Sequence, residues 1–249
     1  MKDYLFLLGG KDLEMVEIRK ILENEGLNFI DKDLSWGAKL SHYKEEIGEI
    51  TEDKTIVGIE LLKDMEVGQE YIEVDHHNQS TDKPSSIEQI AKLLDIDLNR
   101  FQRLVAANDK GYIDAMKDLE ATKEEIEEVR LRDRRAQGVS REDERLARES
   151  IEDNKKIYGD LVVVKAKTDK FSPIADRLYP TEKLLIYTDK ELTYYGVGAR
   201  ELGERYMKEY GEEKVYYGGG DDGYFGFGKG AFSSEKIEKR VEEVIEFGG

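Results

Sequence analysis

The stretch Val74-Asp75-His76-His77-Asn78 decides the fold of this chain, and it closes the hydrophobic-rich residues 71–74. The protein has three histidines, and two of them stand here directly behind an aspartate. A strand that ends in this tripeptide brings a carboxylate and two imidazoles to the carboxyl edge of a sheet, where open α/β folds bind ligands. Carboxylate and imidazole are also the ligands of hydrolytic metal sites. The stretch therefore predicts a metal or ligand site, and two surface histidines in a turn are the alternative.

The composition is strongly acidic. The 249 residues suit one large or two smaller domains, and 39 basic against 56 acidic residues give a net charge of −17. Such a surface argues against a partner that is a long duplex nucleic acid or a membrane, because phosphate binding needs concentrated Lys and Arg. An anionic substrate held by a local basic patch or a metal remains open. The lack of cysteine excludes disulfides, zinc–thiolate sites and thiol catalysis.

The apolar runs of the chain are all short. None approaches the roughly 18 residues that span a bilayer, and the short run at residues 5–8 lacks a signal-peptide pattern. We therefore expect a cytoplasmic protein. The abundance of Glu and Lys and the absence of Cys favour a thermophilic source.

The first part of the chain alternates short apolar runs with helical periodicity. Helices are predicted at residues 12–24, 85–94 and 98–108, and strands at residues 4–8, 27–30, 55–59 and 71–74. Strands that alternate with helices, with few hairpin signals, indicate a mainly parallel sheet. The fold class is therefore predicted to be α/β.

The rest of the chain changes character twice. Residues 118–156 are dense in charge and predict two helices broken near Gly138, for which a solvated connecting segment is the default interpretation. A second strand-rich region follows, with a hairpin at 184–187 and 192–197, helices at 201–210 and 234–246, and the triplet Gly218-Gly219-Gly220 after a strand. We divide the chain into residues 1–118, a helical connector 119–157, and a smaller mixed α/β domain at 158–249.

With these features in order along the chain, the sequence resembles the DHH phosphoesterase superfamily. The resemblance is carried by Asp75-His76-His77 in the first domain, the helical connector, and the glycine triplet in the second domain. It covers the whole chain and implies a DHH domain joined to its usual DHH-associated domain. The family includes RecJ-type exonucleases, oligoribonucleases, phosphatases of adenosine bisphosphates, cyclic-dinucleotide phosphodiesterases and pyrophosphatases.

The resemblance also implies a set of site residues. Family members place acidic and histidine motifs at strand ends around a pair of divalent metals, usually manganese. Carried over to this chain, His76 is a hydrogen-bond donor to the reacting phosphate, and the ions are manganese (Mn²⁺) or magnesium (Mg²⁺), which carboxylate and imidazole ligands suit better than zinc. The implied metal ligands are Asp12, Glu14, Glu60, Asp75, His77 and Asp109.

Three departures from the family pattern stand in the first domain. Glu60 stands where the family has an aspartate, and the first motif keeps Asp12 and Glu14 but lacks a histidine. Lys11 is new, and two interpretations remain open: it contacts a substrate phosphate, or it occupies one metal position and the site is degenerate. Asp12 and Glu14 would also favour the dipole of a helix that begins there. His42 either replaces the missing histidine in space or is an exposed loop residue.

In the second domain the family often has a histidine after the three glycines, whereas Asp221 follows Gly218, Gly219 and Gly220 here. The bare N–H groups of the glycines would cradle a phosphate, or the triplet is a tight turn. Asp221 would repel a phosphate unless a cation intervenes. Arg200 resembles a position that grips substrate phosphate, for which a bidentate guanidinium is suited; an exposed arginine at a helix start is the alternative.

The resulting expectation is a metal-dependent phosphoesterase that hydrolyses a phosphate ester of a nucleotide or short oligonucleotide in an interdomain cleft. Lys11, Asp75 and His76 would be catalytic, while Arg200, the glycine triplet and Asp221 would bind substrate. The alternative is a catalytically degenerate DHH-fold module that binds a nucleotide or a protein. The partner is expected to be a nucleotide or short oligonucleotide, and a homodimer is allowed.

Overall fold

The computed structural model describes residues 3–35, 37–51, 53–77, 80, 82–219 and 222–249. Contacts divide the chain into two units, Met1–Gly138 and Val139–Gly249. The predicted three-part division stays a prediction. None of the helices in the described part of the chain combines the length and the apolar character needed to cross a bilayer.

A four-stranded sheet forms the centre of the first unit. Its strands are β1 (Tyr4–Leu8), β2 (Asn28–Asp31), β3 (Thr55–Ile59) and β4 (Glu70–Val74). They lie in the order β2-β1-β3-β4, and every neighbouring pair is parallel. β1 and β3 are apolar along almost their whole length, as strands buried on both faces must be. The predicted parallel sheet is confirmed.

Helices cover both faces of this sheet. They are α1 (Leu13–Asn24), α2 (Lys44–Gly48) after a 3₁₀ turn at Leu40–Tyr43, α3 (Ser86–Leu94), α4 (Arg100–Asp118) and α5 (Lys123–Ala136). On one face Met15 and Ile18 of α1 pack against β1 and β3. On the other face Tyr43 and Ile47 pack against the same two strands.

The strand order places a crevice between the carboxyl ends of β1 and β3. The chain leaves β1 towards β2 on one side and leaves β3 towards β4 on the other, which is the switch point where α/β sheets bind ligands. Gly9 follows β1 and lies against the end of β3. A Cβ at Gly9 would stand 2.4 Å from the carbonyl oxygen of Glu60 and 2.6 Å from that of Ile59, so glycine is required for this approach.

The second unit is built on a mixed sheet, and the α/β class of the whole chain is therefore confirmed. Its strands lie in the order β5-β6-β7-β8-β10-β9; β6 and β7 are parallel and the other pairs antiparallel. The predicted hairpin is β7–β8. The strands are β5 (Lys155–Tyr158), β6 (Leu161–Lys165), β7 (Lys183–Tyr187), β8 (Leu192–Gly196), β9 (Val215–Gly218) and β10 (Tyr224–Phe227), and the helices are α6 (Arg141–Asn154), α7 (Ser172–Leu178), α8 (Ala199–Tyr210) and α9 (Ser234–Gly248).

Candidate metal centre

Four side chains of the first unit converge at the carboxyl edge of the parallel sheet. Each offers one ligand atom, and these atoms all lie within 4.8 Å of one another. They come from the end of β3, the loop after β4, and α4. We call them the acid–histidine group: Glu60, His76, His77 and Asp109. Distant parts of the sequence thus supply the carboxylate and imidazole atoms that hold a divalent cation in proteins.

His76 lies deepest in this group, with 4% of its surface exposed. Its Nε2 is 2.5 Å from Asp109 Oδ2 and 3.6 Å from Glu14 Oε2. Burial opposes protonation, but contact with Asp109 and Glu14 raises the pKa of His76 to about 10. His76 Nε2, Asp109 Oδ2 and Glu14 Oε2 have no hydrogen-bond partner outside this group of charged side chains. Carboxylate and imidazole atoms that are buried together in this way fit a divalent cation.

Glu14 is the carboxylate beneath His76, and 2% of its surface is exposed. Its Oε1 accepts a hydrogen bond of 3.0 Å from the Ile87 amide in the first turn of α3. Burial raises the pKa of Glu14 well above its usual range; contact with His76 opposes this, and the charges of Asp109 and Glu60 add to it. A cation bound at Oε2 would relieve this penalty.

Asp12 caps helix α1 and also lines the cavity beside the acid–histidine group. It is the N-cap of α1 and accepts a hydrogen bond of 2.8 Å from the Met15 amide. Burial and the neighbouring Glu60 raise the pKa of Asp12 to about 7, against the opposing effect of that hydrogen bond. The predicted helix-start carboxylate is therefore also part of the acidic surface at the crevice.

Glu60 takes a left-handed conformation at the end of β3, with φ of 52°. Its amide donates to the carbonyl of Val74 at 2.8 Å and so continues the parallel ladder by one residue. Its side-chain Oε1 accepts from the Ser86 hydroxyl at 3.0 Å. Glu60 thus reaches the acid–histidine group although the family has the shorter aspartate at this position.

Asp75 and His77 form the exposed side of the site. Asp75 Oδ1 accepts a hydrogen bond of 2.8 Å from the His77 amide, which fixes the turn after β4. The His77 side chain is 32% exposed, and its Nε2 lies 3.6 Å from Glu60 Oε1. Contact with Glu60 raises the pKa of His77, although burial opposes it. Asp75 is outside the acid–histidine group but stands beside it.

A cavity of about 380 Å³ opens over this edge of the sheet. This is a usual size for a small-molecule site. Five of the sequence-predicted residues line it, together with Gly9, Gly10 and Gln137: Lys11, Asp12, Glu60, Asp75 and His77. The structure therefore brings most of the predicted first-domain site to one cavity.

Lys11 forms an ion pair at this cavity. Its Nζ lies 2.6 Å from Asp33 Oδ2, and the two side chains are 45% and 67% exposed. Asp33 was not singled out in the sequence. The predicted substrate role of Lys11 stays a prediction. His42, the suggested spatial substitute for a missing histidine, is exposed and accepts a hydrogen bond from the Lys39 amide at 3.0 Å.

Sequence reasoning missed a support for the site in α5. Asp133 is 5% exposed and accepts hydrogen bonds from the Leu13 amide at 3.3 Å and from Arg130 at 2.8 Å. Arg130 also donates to Asn108, the neighbour of Asp109, at 2.9 Å. The expectation of a solvated charge run is wrong for these residues, because they are buried and join α1 to α4. The acid and arginine three residues apart were the only signal.

The predicted substrate residues of the second unit have separate structural roles. Arg200 donates to Glu204 one helical turn away at 3.0 Å and is 55% exposed. Gly218 ends β9, and Gly219 turns the chain with φ of 77°. Gly220 and Asp221 lie outside the described residues. The phosphate-binding role of these residues stays a prediction.

Comparisons with known proteins find likeness in structure alone. No family model matches the chain, and no curated protein matches it. The pGpG-specific phosphodiesterase PggH from Vibrio cholerae superposes with a TM-score of 0.52 at 15% identity, over 100% of both chains. A DHH domain from a member of the S1p family of ribosomal proteins superposes with a TM-score of 0.52 at 11% identity, over 97% of this chain and 86% of that chain. RecJ in complex with Mn²⁺ from Thermus thermophilus gives a TM-score of 0.47 at 12% identity, over 99% of this chain and 52% of that chain.

Likeness at these identities concerns the fold. The first two neighbours match the chain over nearly its full length, including both sheets. The resemblance inferred from Asp75-His76-His77 and the glycine triplet is thereby confirmed at the level of the fold. The chain has the fold of the DHH phosphoesterases and diverges widely from them in sequence.

Proposed function

We propose that the chain is a metal-dependent phosphoesterase that acts on a nucleotide or short oligonucleotide. The observation that carries the proposal is the convergence of His76 Nε2, Asp109 Oδ2 and Glu14 Oε2, three buried atoms that contact one another and have no hydrogen-bond partner outside the site. A pGpG-specific phosphodiesterase shares the fold over its full length, which supports the substrate class. The contribution of the second unit stays a prediction.

The donor set fits Mn²⁺ or Mg²⁺. Glu60, His76 and Asp109 would hold the cation, and the free oxygen of Glu14 completes the set from below. A bound divalent cation would withdraw electron density from phosphoryl oxygens and make a water acidic enough to attack phosphorus. The chain has no cysteine to favour a softer metal.

The two adjacent histidines would then have different roles. His76 is buried against carboxylates, so it suits a ligand better than the substrate-contacting donor that the resemblance implied. His77 is a third exposed and lines the cavity. Contact with Glu60 raises the pKa of His77 and so favours its protonated imidazole, which would donate a hydrogen bond to a phosphoryl oxygen as negative charge develops there.

Glu60 bears on the alternative of a catalytically degenerate module, because glutamate is one methylene longer than the aspartate of the family pattern. Glu60 lies within the acid–histidine group, because its left-handed backbone turns it towards the crevice. This observation favours the enzyme over the degenerate module.

The test begins with metal binding. We expect calorimetry to show Mn²⁺ binding by the wild type and a large loss of affinity in His76→Ala, because one ligand is removed. His42→Ala is the control, since His42 is exposed and lies outside the acid–histidine group. Wild type that binds no Mn²⁺ at millimolar concentration, or His76→Ala that binds it as tightly as the wild type, would overturn the proposed site.

Hydrolysis is measured next, with bis(p-nitrophenyl) phosphate and short oligonucleotides. We expect activity that requires Mn²⁺ or Mg²⁺, is lost in His76→Ala and persists in His42→Ala. His77→Ala should lower kcat while leaving most of the Mn²⁺ affinity, because the proposed role of His77 is towards the substrate. If the protein binds Mn²⁺ but hydrolyses none of these phosphate esters, the metal site stands and the proposed enzymatic activity is wrong.

A further inference from the structure

The backbone of Tyr112 has a conformation that is usual only for glycine. Its φ is 59° and its ψ is −142°, a combination that a residue with a Cβ adopts only under strain. Among the described residues other than glycine, five have a positive φ, and Tyr112 is the one that stands inside a helix. Such strain persists only where the surrounding contacts hold the residue, and it is concentrated at functional sites.

The break at Tyr112 comes within one turn of a candidate metal ligand. Asp109 lies three residues before it, in the last turn of the first helical segment of α4. Gly111 stands beside Tyr112 but does not take the positive φ. Its own φ of −157° is extended, and a Cβ there would meet the Ala115 Cβ at 2.8 Å. A tyrosine therefore carries the strained turn that ends the segment of Asp109.

Arg130 contacts α4 on both sides of Asp109. Its Cζ lies 4.4 Å from the centroid of the Tyr112 ring, and its Nη1 donates to Asn108 Oδ1 at 2.9 Å. Arg130 is 8% exposed and also donates to Asp133 at 2.8 Å, which fixes the guanidinium in place. A guanidinium over an aromatic ring is attracted to it, and more strongly when both are desolvated. One buried arginine thus holds the residue before Asp109 and the strained residue after it.

We propose that Tyr112 is a positioning residue for Asp109. Its strained backbone ends the first segment of α4, and its ring, held by Arg130, keeps Asp109 Oδ2 at 2.5 Å from His76 Nε2. A residue that cannot hold this backbone would let α4 relax towards a continuous helix and move the Asp109 carboxylate relative to His76. The inference rests on the proposed metal site and adds how one of its ligands is aimed. Tyr112 itself touches neither the cation nor the substrate.

The experiment compares Tyr112→Gly with Tyr112→Ala. Both variants lack the ring, so they differ in how freely the backbone takes a positive φ. Inside a regular helix alanine is the more stable of the two, by about fivefold in the equilibrium constant of unfolding. At residue 112 we expect the opposite order, with glycine more stable by at least about fivefold. Urea denaturation measures this constant.

Calorimetry with Mn²⁺, under conditions where each variant is folded, measures the positioning. We expect Tyr112→Ala to bind Mn²⁺ about tenfold more weakly than the wild type, as is usual when the support of a metal ligand is lost. Tyr112→Gly should recover most of this affinity, because it restores the broken helix without the strain. A role in stability alone would leave the Mn²⁺ affinity of the folded variants unchanged. Tyr112→Asn should fall between the two in both measurements, since asparagine tolerates a positive φ better than alanine, and it replaces Tyr112→Ala should that variant fail to fold.

Glu127→Gly and Glu127→Ala form the matched control pair. Glu127 lies in the interior of α5, and its side chain is 68% exposed. Alanine should be the more stable residue there, and both variants should bind Mn²⁺ as the wild type does. Alanine more stable than glycine at residue 112 as well would overturn the strain. A loss of Mn²⁺ affinity in Glu127→Ala as large as in Tyr112→Ala would overturn the positioning role.

The remaining outcomes separate this inference from the proposed function. Unchanged Mn²⁺ affinity in Tyr112→Ala, or in Tyr112→Asn in its place, sinks the inference alone, whatever the hydrolysis assay gives. Mn²⁺ affinities in the expected order without hydrolysis of any ester leave the positioning role standing and sink the proposed function. Wild type that binds no Mn²⁺ removes both.

Discussion

At the scale of single residues, the site depends on how closely two backbones approach. Gly9 is buried, and its missing side chain lets the loop after β1 lie against the carbonyl groups at the end of β3. On the other side, the Glu60 amide donates a hydrogen bond to the Val74 carbonyl, and this bond keeps the Glu60 backbone from moving away from Gly9. The glycine therefore sets the width of the crevice in which Asp12 and Glu60 face each other.

Gly9→Ala should destabilise the protein and weaken metal binding. The added methyl group would meet the Glu60 oxygen at 2.4 Å, and overpacking of this kind costs about 1–3 kcal/mol. Gly68→Ala is the control, because a Cβ there meets nothing within 4 Å. Urea denaturation gives the free energy of unfolding, and calorimetry gives the Mn²⁺ affinity. Equal stability of the two variants would contradict the close approach.

Residue identities in the site could be predicted where the signal was local. Asp75-His76-His77 at a strand end was sufficient to locate the imidazoles, and Asp109 followed from the family pattern. Asp33 and Asp133 could not be found, because each acts through a partner far away in sequence: Lys11 for Asp33 and the Leu13 amide for Asp133. The different roles proposed for His76 and His77 depend on the different burial of the two side chains, which the tripeptide itself does not encode.

At the scale of elements, α5 is the support of the site. Its sequence is rich in acidic and basic residues, which predicts a solvent-exposed helix. In the structure, however, Arg130, Asp133 and Arg134 are buried. Through Asp133 the helix contacts the start of α1, beside Asp12 and Glu14, and through Arg130 it contacts Asn108, the neighbour of Asp109 in α4. Displacement of α5 would therefore move candidate metal ligands that lie on α1 and α4.

Asp133→Asn should lower stability by about 2 kcal/mol and lower Mn²⁺ affinity, because the buried Arg130 loses a charged acceptor. Asp114→Asn is the matched control: Asp114 also pairs with a base three residues away, Lys117, but it is 72% exposed. Denaturation and calorimetry are compared for both variants. Unchanged Mn²⁺ affinity in Asp133→Asn would mean that α5 stabilises the fold without positioning the site.

Most elements could be predicted because their apolar periodicity was clear. β1 and β3 begin and end at the predicted residues, and α3 (Ser86–Leu94) lies within the predicted range 85–94. β5 was missed because its four residues are all exposed and show no apolar alternation. The helix predicted at 98–108 is broken in the structure at Gly111 and Tyr112, whose backbones are non-helical, and a further helical segment follows as far as Asp118.

At the scale of the whole molecule, the metal-free chain is under electrostatic stress. It carries a net charge of −17. The carboxyl groups of Asp12 and Glu14 are buried, and both lie close enough to Glu60 to be affected by its negative charge. The raised pKa values of Asp12 and Glu14 mean that the folded state binds protons more tightly than the unfolded chain. Deprotonation above the unfolded pKa therefore destabilises the metal-free fold progressively as pH rises.

Mn²⁺ should raise the melting temperature, and more so at higher pH. A ligand at one hundred times its Kd stabilises the folded state by about 2.7 kcal/mol, and protons compete with the cation until the pH passes the pKa of Asp12, about 7. Thermal melts with Mn²⁺ or with EDTA at about pH 6 and about pH 8 test this. An EDTA melt that matches the Mn²⁺ melt at both pH values would show that no cation site exists; His76→Ala should give that result.

The hydrogen bond from the Leu13 amide to Asp133 affects the order in which the protein can fold while it is being synthesised. It joins residues 120 positions apart, so the start of α1 cannot be secured until α5 has left the ribosome. At roughly 5–20 residues per second, this leaves an interval on the order of 6–24 s in which Asp12 and Glu14 exist without their final neighbours. A nascent chain stalled before α5 should accordingly be open to proteases at its first helix, and the completed chain should be resistant there.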